Sequence, residues 1–232
     1  MNENGNVSMK NDWPAWLLII LMFGLGIALW SSSPEQMPVH WNWKGVPDGM
    51  GGKFEGLLAI PLLTLAIYLL MVFLPRIDPG RANYRLFSGP YIVMRLAIIA
   101  VMAAIYFIML AAQRKPDLNI VAFVPLLIGM MFVVFGNLMG KLRPNWFVGI
   151  RTPWTLTSKL SWTRTHRAGG IGMVVLGLVL MPLGFLKTEA SFWILIIGVF
   201  GWVLFLLVYS YFIWRIDPDR VPPAGSGPAD GV

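Results

Sequence analysis

The chain of 232 residues contains no cysteine, only two histidines, and few charged residues, which make up 12% of the sequence. Without cysteine, disulfides, thiolate catalysis and cysteine-ligated zinc or iron–sulfur centres are excluded. His40 and His166 are too few for most metal sites, so we expect no metal and no cofactor. Hydrophobic residues make up 57% of the chain, against roughly 45–50% in soluble domains. This composition excludes a soluble enzyme, a disordered chain and a free nucleic-acid-binding module, so we expect no direct contact with nucleic acid.

Six apolar stretches account for the excess of hydrophobic residues. A transmembrane helix needs about 20 mostly apolar residues, so the sequence predicts an all-α integral membrane protein, a six-transmembrane-helix bundle with short loops. The first stretch is interpreted as a retained anchor, because Ala28-Leu29-Trp30 is a poor signal-peptide cleavage site. The stretches comprise residues 13–30, 56–74, 91–112, 120–139, 169–186 and 192–213.

Lysine and arginine divide unequally between the two sides of this predicted bundle. Twelve lie on the side of the two termini and of the loops after the second and fourth stretches, and five lie on the other. Since basic loops stay in the cytoplasm, both termini are predicted to be cytoplasmic. The predicted segments are a cytoplasmic arm (1–12), three helices with an outer loop at 31–55 (13–112), three helices with a cytoplasmic loop at 140–168 (113–213), and a flexible cytoplasmic tail (214–232).

Some residues within the stretches bear on packing. Arg95 lies near the predicted cytoplasmic end of the third stretch and is interpreted as a snorkelling side chain that reaches the headgroups. Gly136 and Gly140 have the small-xxx-small spacing that lets helices approach closely.

The sequence RIDPGR (Arg76–Arg81) follows the second stretch and RIDPDR (Arg215–Arg220) follows the sixth. The repeat predicts a shared stop signal, because proline disfavours a helical conformation in the residue before it.

The outer loop, residues 31–55, combines turn-forming residues with polar and aromatic side chains. Its prolines and glycines predict turns rather than helix. The polar groups suggest a ligand-binding loop, whereas the alternative is a loop folded on itself, with Asp48 bonding turn amides and His40 packed. The candidate ligand-binding residues are His40, Asn42, Lys44, Asp48 and Lys53.

The cytoplasmic loop, residues 140–168, holds six basic residues and no acidic one. Tryptophans alternate with these cations, a composition typical of a segment in the lipid headgroup layer. Its last part predicts a short helix from Ser158 onward, with Thr157 or Ser158 as the N-cap. Two interpretations of the loop remain open. It is either a docking surface for a partner or for lipid, or a tether that only sets the topology. The candidate docking residues are Asn145, Arg151, Thr152, Trp154, Trp162, His166 and Arg167.

Neither catalysis nor transport has a clear signature in the chain. His166 has Ser158 and Ser161 nearby in sequence, but its loop contains no acid, so no nucleophile–base set can be built. The sequence therefore predicts no enzyme. A small-solute or peptide transporter should show paired broken helices or a buried ionisable residue at mid-membrane, and the chain offers only single prolines within the stretches.

Two motifs carry a resemblance to a known family. The segment Asn145–Leu156 (NWFVGIRTPWTL), followed by Trp162, Thr165, His166 and Arg167, resembles the SdpI family of bacterial membrane immunity proteins. The loop Pro38–Asp48 (PVHWNWKGVPD) resembles the small domain of unknown function that often precedes it. With the flanking stretches, the resemblance covers most of residues 15–215.

The resemblance implies a multi-pass protein of the bacterial plasma membrane that protects its cell from a secreted, membrane-active toxin peptide. It also implies a toxin peptide as partner on the outer face, a soluble repressor or regulator captured on the cytoplasmic face, and membrane lipids around the bundle. The family's signature positions fall here on Asn145, Gly149, Arg151, Thr152, Pro153, Trp154, Trp162 and His166.

Overall fold

The computed structural model describes residues 11–115, 117–183 and 189–221, which are mostly helical. A two-stranded antiparallel hairpin interrupts the helices, and 3₁₀ segments of seven and three residues precede two of them. The elements are α1 (Trp13–Leu29), β1 (Met37–Trp41), β2 (Pro47–Gly51), α2 (Lys53–Leu57), α3 (Ala59–Ile77), α4 (Ser88–Arg114), α5 (Phe123–Met139), α6 (Pro153–Leu156), α7 (Lys159–Leu183) and α8 (Glu189–Arg215), with 3₁₀ segments at Arg81–Phe87 and Ile120–Ala122.

Four helical segments in the described part are long and apolar enough to cross a membrane, namely Ala59–Ile77, Arg81–Arg114, Lys159–Leu183 and Trp193–Arg215. Helices α1 and α5 are shorter, with 17 residues each. The prediction of a helical membrane protein is confirmed, while the count of six crossings stays a prediction. Some boundaries differ from the predicted ones. The second stretch is divided between α2 and α3, a 3₁₀ segment precedes α4, and the predicted short helix after Ser158 is the beginning of α7.

The six long helices of the described residues form two groups of three that meet along α4 and α5. Helices α1, α3 and α4 pack against one another, and α7 packs between α5 and α8. The hairpin lies at the end of α4, where the Gln113 side chain donates to the Pro38 carbonyl oxygen at 3.1 Å. The segment 140–158 lies at the opposite end, where Leu142 and Trp162 pack with Tyr84. We call these ends the hairpin face and the loop face.

A glycine seam joins α5 to α7. An added Cβ at Gly129 would lie 2.7 Å from the Gly177 carbonyl oxygen, and one at Gly136 would lie 2.6 Å from that of Gly170. Seven residues make about two helical turns, so both glycines of each helix lie on the same face. Of the predicted pair, Gly136 makes the close helix approach, whereas Gly140 does not, because it ends α5 and has nothing within 4 Å of its Cβ position.

The interpretation of Arg95 as a snorkelling residue is also wrong. Its guanidinium is fully buried and bonds both carboxylate oxygens of Asp12, at 2.6 and 2.7 Å. The Tyr68 hydroxyl donates to the same carboxylate at 2.9 Å. A buried charge persists when it is paired and hydrogen-bonded. The pair thus connects the residue before α1 to α4, so Asp12 belongs to the bundle and not to a free arm.

Candidate functional site

The hairpin places two of the predicted binding residues side by side. His40 in β1 and Asp48 in β2 are joined by a hydrogen bond of 2.5 Å between Nδ1 and Oδ1, and both side chains are exposed. Gly49 allows this approach, because a Cβ there would lie 2.8 Å from the His40 Cβ. The bond at Nδ1 orients the ring and leaves Nε2 directed away from Asp48. The hairpin thus presents an oriented imidazole on its outer surface.

The other three outer-loop candidates act separately. The Asn42 side-chain oxygen accepts from the backbone N–H groups of Lys44 and Val46, at 2.9 and 3.2 Å, and so shapes the turn between the strands. The Lys44 ammonium lies 4.8 Å from the centre of the Trp43 ring. Lys53 forms an ion pair of 3.0 Å with Glu35. The five candidates therefore form no single pocket, and only His40 and Asp48 come together.

The hairpin that carries the His40–Asp48 pair also has exposed apolar side chains. Trp43 and Val46 at the tip are 47% and 54% exposed, and Met50 in β2 is 58% exposed. Met50 is opposite Pro38 in the strand register. Met37, by contrast, is buried against the bundle with Leu57 and Tyr106. The hairpin is thus amphipathic across its two faces, and its outer face offers both apolar area and a paired charge.

On the loop face, the backbone of the segment 140–158 is fixed by Asn145. Its side-chain oxygen accepts from Phe147 and Val148 N–H at 3.0 and 2.6 Å, and its nitrogen donates to the Arg143 and Val148 carbonyl oxygens at 2.9 Å each. All four bonds are internal, and Asn145 is buried. Asn145 therefore organises the turn itself.

The repeated RIDP sequences anchor this segment at both ends. Asp78 of the first copy is buried and accepts from the Tyr84 hydroxyl at 3.0 Å and from Trp146 N–H at 3.1 Å. Asp217 of the second copy accepts from the Ser158 hydroxyl, and Ser158 in turn caps α7 through Ser161 N–H at 2.9 Å. The hydrogen bond from Ser158 lowers the pKa of Asp217 below its usual value. The repeat can be recognised in the sequence, but only the structure shows that its aspartates anchor this segment.

His166 connects α7 to the middle of the loop. Its Nδ1 lies 2.8 Å from the Trp162 carbonyl oxygen, and Ile150 N–H donates to its Nε2 at 3.0 Å. Only a neutral ring protonated at Nδ1 makes both bonds. The ring stacks on Trp162 at 4.0 Å, as the predicted shared helix face requires. Gly149 has φ +112, and a Cβ there would collide with the imidazole.

The other predicted docking residues divide between buried and exposed positions. Thr152 caps α6 and bonds Ser210 of α8 at 3.0 Å, while Trp154 contacts the Tyr211 ring at 5.3 Å and is half-buried. Arg151 and Arg167 are exposed. The exposed or half-buried docking candidates are therefore Arg151, Arg167 and Trp154, whereas four predicted docking residues lie inside: Asn145, Thr152, Trp162 and His166. The described residues contain no group of three or more His, Asp or Glu that could hold a metal ion.

These features describe a class: a multi-pass protein of the bacterial plasma membrane with an SdpI-type region. Residues 141–210 match the SdpI/YfhL protein family, and residues 17–65 match a domain of unknown function, DUF1648. The chain is 25% identical over 207 residues to the immunity protein SdpI of Bacillus subtilis (strain 168), covering 89% of this chain and 97% of the relative. The predicted resemblance is confirmed. No solved structure matches the chain.

Proposed function

We propose that the chain is a membrane immunity protein that protects its cell from a secreted, membrane-active toxin peptide, and that it has no catalytic role. The observation that carries this proposal is the alignment with the immunity protein SdpI along nearly the whole of both chains. The two candidate sites fall within the two matched segments: the hairpin in 17–65 and the loop in 141–210. The proposal includes six membrane crossings with cytoplasmic termini.

The hairpin face is the proposed contact for the toxin. An apolar outer surface beside the His40–Asp48 pair suits a peptide that combines apolar and charged residues, because the pair orients an imidazole nitrogen next to area that the peptide can bury. The candidates Asn42, Lys44 and Lys53 then contribute by shaping the turn and the hairpin edge rather than by forming a pocket.

The test is expression in a host that a membrane-active peptide kills, with survival measured at matched protein abundance. Wild-type protein should protect, and His40→Ala and Asp48→Ala should each weaken protection. Gln36→Ala, an exposed polar position just before β1, should not. Full protection by both hairpin variants would make the hairpin a scaffold only, and no protection by the wild type would overturn the immunity role.

The second part of the proposal is the docking of a soluble regulator on the loop face. Arg167, exposed on α7, offers a planar fork suited to a carboxylate. Arg167→Lys keeps the charge but not the fork, so it should impair the transcriptional response to expression while peptide protection is kept. An unchanged response in this variant would remove Arg167 from the docking surface.

One observation supports the alternative of a small-solute or peptide transporter: the Asp12–Arg95 ion pair is buried. Transporter sites lie near the bilayer midplane. Asp12, however, directly precedes the first residue of α1, so the pair lies toward one end of the bundle. This position favours an anchor for α1 over a transport site.

A further inference from the structure

The depth of the loop can be derived from the helix to which it is bonded. Helix α3 has 19 residues, which span about 29 Å at the usual helical rise. This length matches the roughly 30 Å hydrocarbon core of a bilayer. Asp78 directly follows α3 and therefore lies at the level of the lipid headgroups. Because Trp146 N–H donates to both oxygens of Asp78, at 3.3 and 3.1 Å, Trp146 lies at the same level.

Hydrogen bonds fix the backbone of Trp146, whereas its side chain is exposed. Its N–H is held by Asp78, and its carbonyl oxygen accepts from Arg151 Nη1 at 2.8 Å. The indole, however, is 55% exposed. This arrangement presents an exposed tryptophan on a rigid turn, with the guanidinium of Arg151 beside it. Tryptophan side chains are enriched at the headgroup level, where an amphipathic ring suits the interface.

The exposed groups around Trp146 are cationic and apolar, and the Asp78 carboxylate that holds its N–H is buried. Arg143 is exposed and makes no side-chain hydrogen bond or ion pair within the described residues. No aspartate or glutamate occurs between Asp117 and Glu189 in the sequence. Two further apolar side chains near the Asp78 turn are strongly exposed, Ile77 at 63% and Leu86 at 68%. Exposed apolar groups next to arginines are typical of a surface that lies in the headgroup layer.

We propose that Trp146, Arg143 and Arg151 form a binding surface for anionic phospholipid headgroups in the leaflet at the loop face. The arginines meet the lipid phosphate, and the indole sits at the boundary of the acyl chains. At Trp146 depth favours this ligand over an acidic soluble protein, because a protein could cover an indole at headgroup level only by displacing lipid. The proposal is independent of the immunity role.

The first test is lipid selectivity. Purified full-length protein in detergent is titrated with phosphatidylglycerol or phosphatidylcholine, and binding is measured by native mass spectrometry. Arg143→Gln should weaken phosphatidylglycerol binding about fivefold, since a basic residue near an anionic surface contributes about that factor. Arg151→Gln should do the same. Lys159→Gln is the matched control, because this exposed lysine has no exposed tryptophan next to it. Inorganic phosphate should not compete.

The three variants distinguish a specific lipid site from diffuse charge attraction. Arg143→Gln leaves the internal bonds of the loop intact, so a folding defect in Arg151→Gln cannot mask the result. Equal losses in Arg143→Gln and Lys159→Gln would overturn the proposal in favour of diffuse charge attraction. No preference for phosphatidylglycerol, or competition by free phosphate, would also overturn it.

The second test measures depth. Since the chain has no cysteine, Trp146→Cys gives a unique site for a nitroxide in phosphatidylglycerol vesicles, and Lys44→Cys at the hairpin tip gives a comparison. The label at 146 should be shielded from a water-soluble nickel relaxant and accessible to oxygen. A label at 146 that is fully exposed to nickel, and that poly-glutamate shields, would overturn the lipid assignment and indicate a protein partner.

Discussion

The charge of Arg95 is balanced by a single carboxylate inside the bundle. Asp12 takes two bonds from the guanidinium, while Nε and Nη1 of Arg95 have no hydrogen-bond partner among the described residues. The rings of Tyr68 and Tyr91 flank the guanidinium at 5.8 and 5.9 Å. Removing the carboxylate would leave a buried, uncompensated cation, which destabilises a protein more than replacing both partners does.

We therefore expect Asp12→Leu to lower the free energy of unfolding by about 3–5 kcal/mol, the usual cost of breaking a buried ion pair. Replacing both partners, Asp12→Leu with Arg95→Met, should recover much of this loss, because no buried charge remains. Thermal unfolding in detergent measures both variants. A double variant no more stable than the single one would show that the pair contributes by more than charge balance.

Gly149 is the residue at which a side chain is least compatible with the loop. Its φ of +112 and its contact with the His166 ring both require glycine. Gly149→Ala should destabilise the loop by at least about 1 kcal/mol and increase proteolysis within residues 141–158. Gly140→Ala is the matched control, since Gly140 has helical φ −67 and open space around its Cβ position. Equal protease sensitivity in the two variants would contradict this account.

Elements of this fold differ in how far the sequence predicts them. Apolar runs predict the helices, because a segment in lipid must satisfy its own backbone. The pairing of Asp78 with Trp146 and of Asp217 with Ser158 joins residues far apart in the chain. No local pattern shows such pairs, although the RIDP repeat marks the residues involved. For the same reason the sequence does not predict the hairpin strands: their prolines and glycines predict turns, and no local pattern shows that Met37 packs against Leu57 of α2.

The α5–α7 seam depends on the absence of side chains at four positions. Gly136→Val would place atoms against the Gly170 carbonyl oxygen and push the helices apart. Since close packing drives helix association in membranes, this variant should lower the unfolding temperature in detergent. Gly24→Val in α1 introduces the same side chain where nothing lies within 4 Å and should change it little. Similar shifts in both variants would exclude the seam as the cause.

At the scale of the whole molecule, the two shortest apolar helices decide the number of crossings. Helices α1 and α5 have 17 residues each, or about 26 Å, slightly less than the hydrocarbon thickness. Thinning of the bilayer and snorkelling of flanking residues accommodate such a mismatch at modest cost. The opposite positions of the hairpin and the loop agree with full crossings, since α4 connects the Arg95 region at the loop face to Gln113 at the hairpin face.

The predicted orientation is based on the charge distribution and can be tested with single cysteines in the cysteine-free chain. We expect Lys44→Cys and Asp117→Cys to react with a membrane-impermeant maleimide in intact cells, and Lys159→Cys to react only after permeabilisation. Each lysine variant removes one of the basic residues that divide twelve to five, so the bias that sets orientation persists. Positions 117 and 159 flank α5, so opposite reactivity at these two sites would establish that this short helix crosses the membrane. Labelling of position 159 in intact cells would reverse the orientation, and equal labelling of 117 and 159 would mean that α5 does not cross.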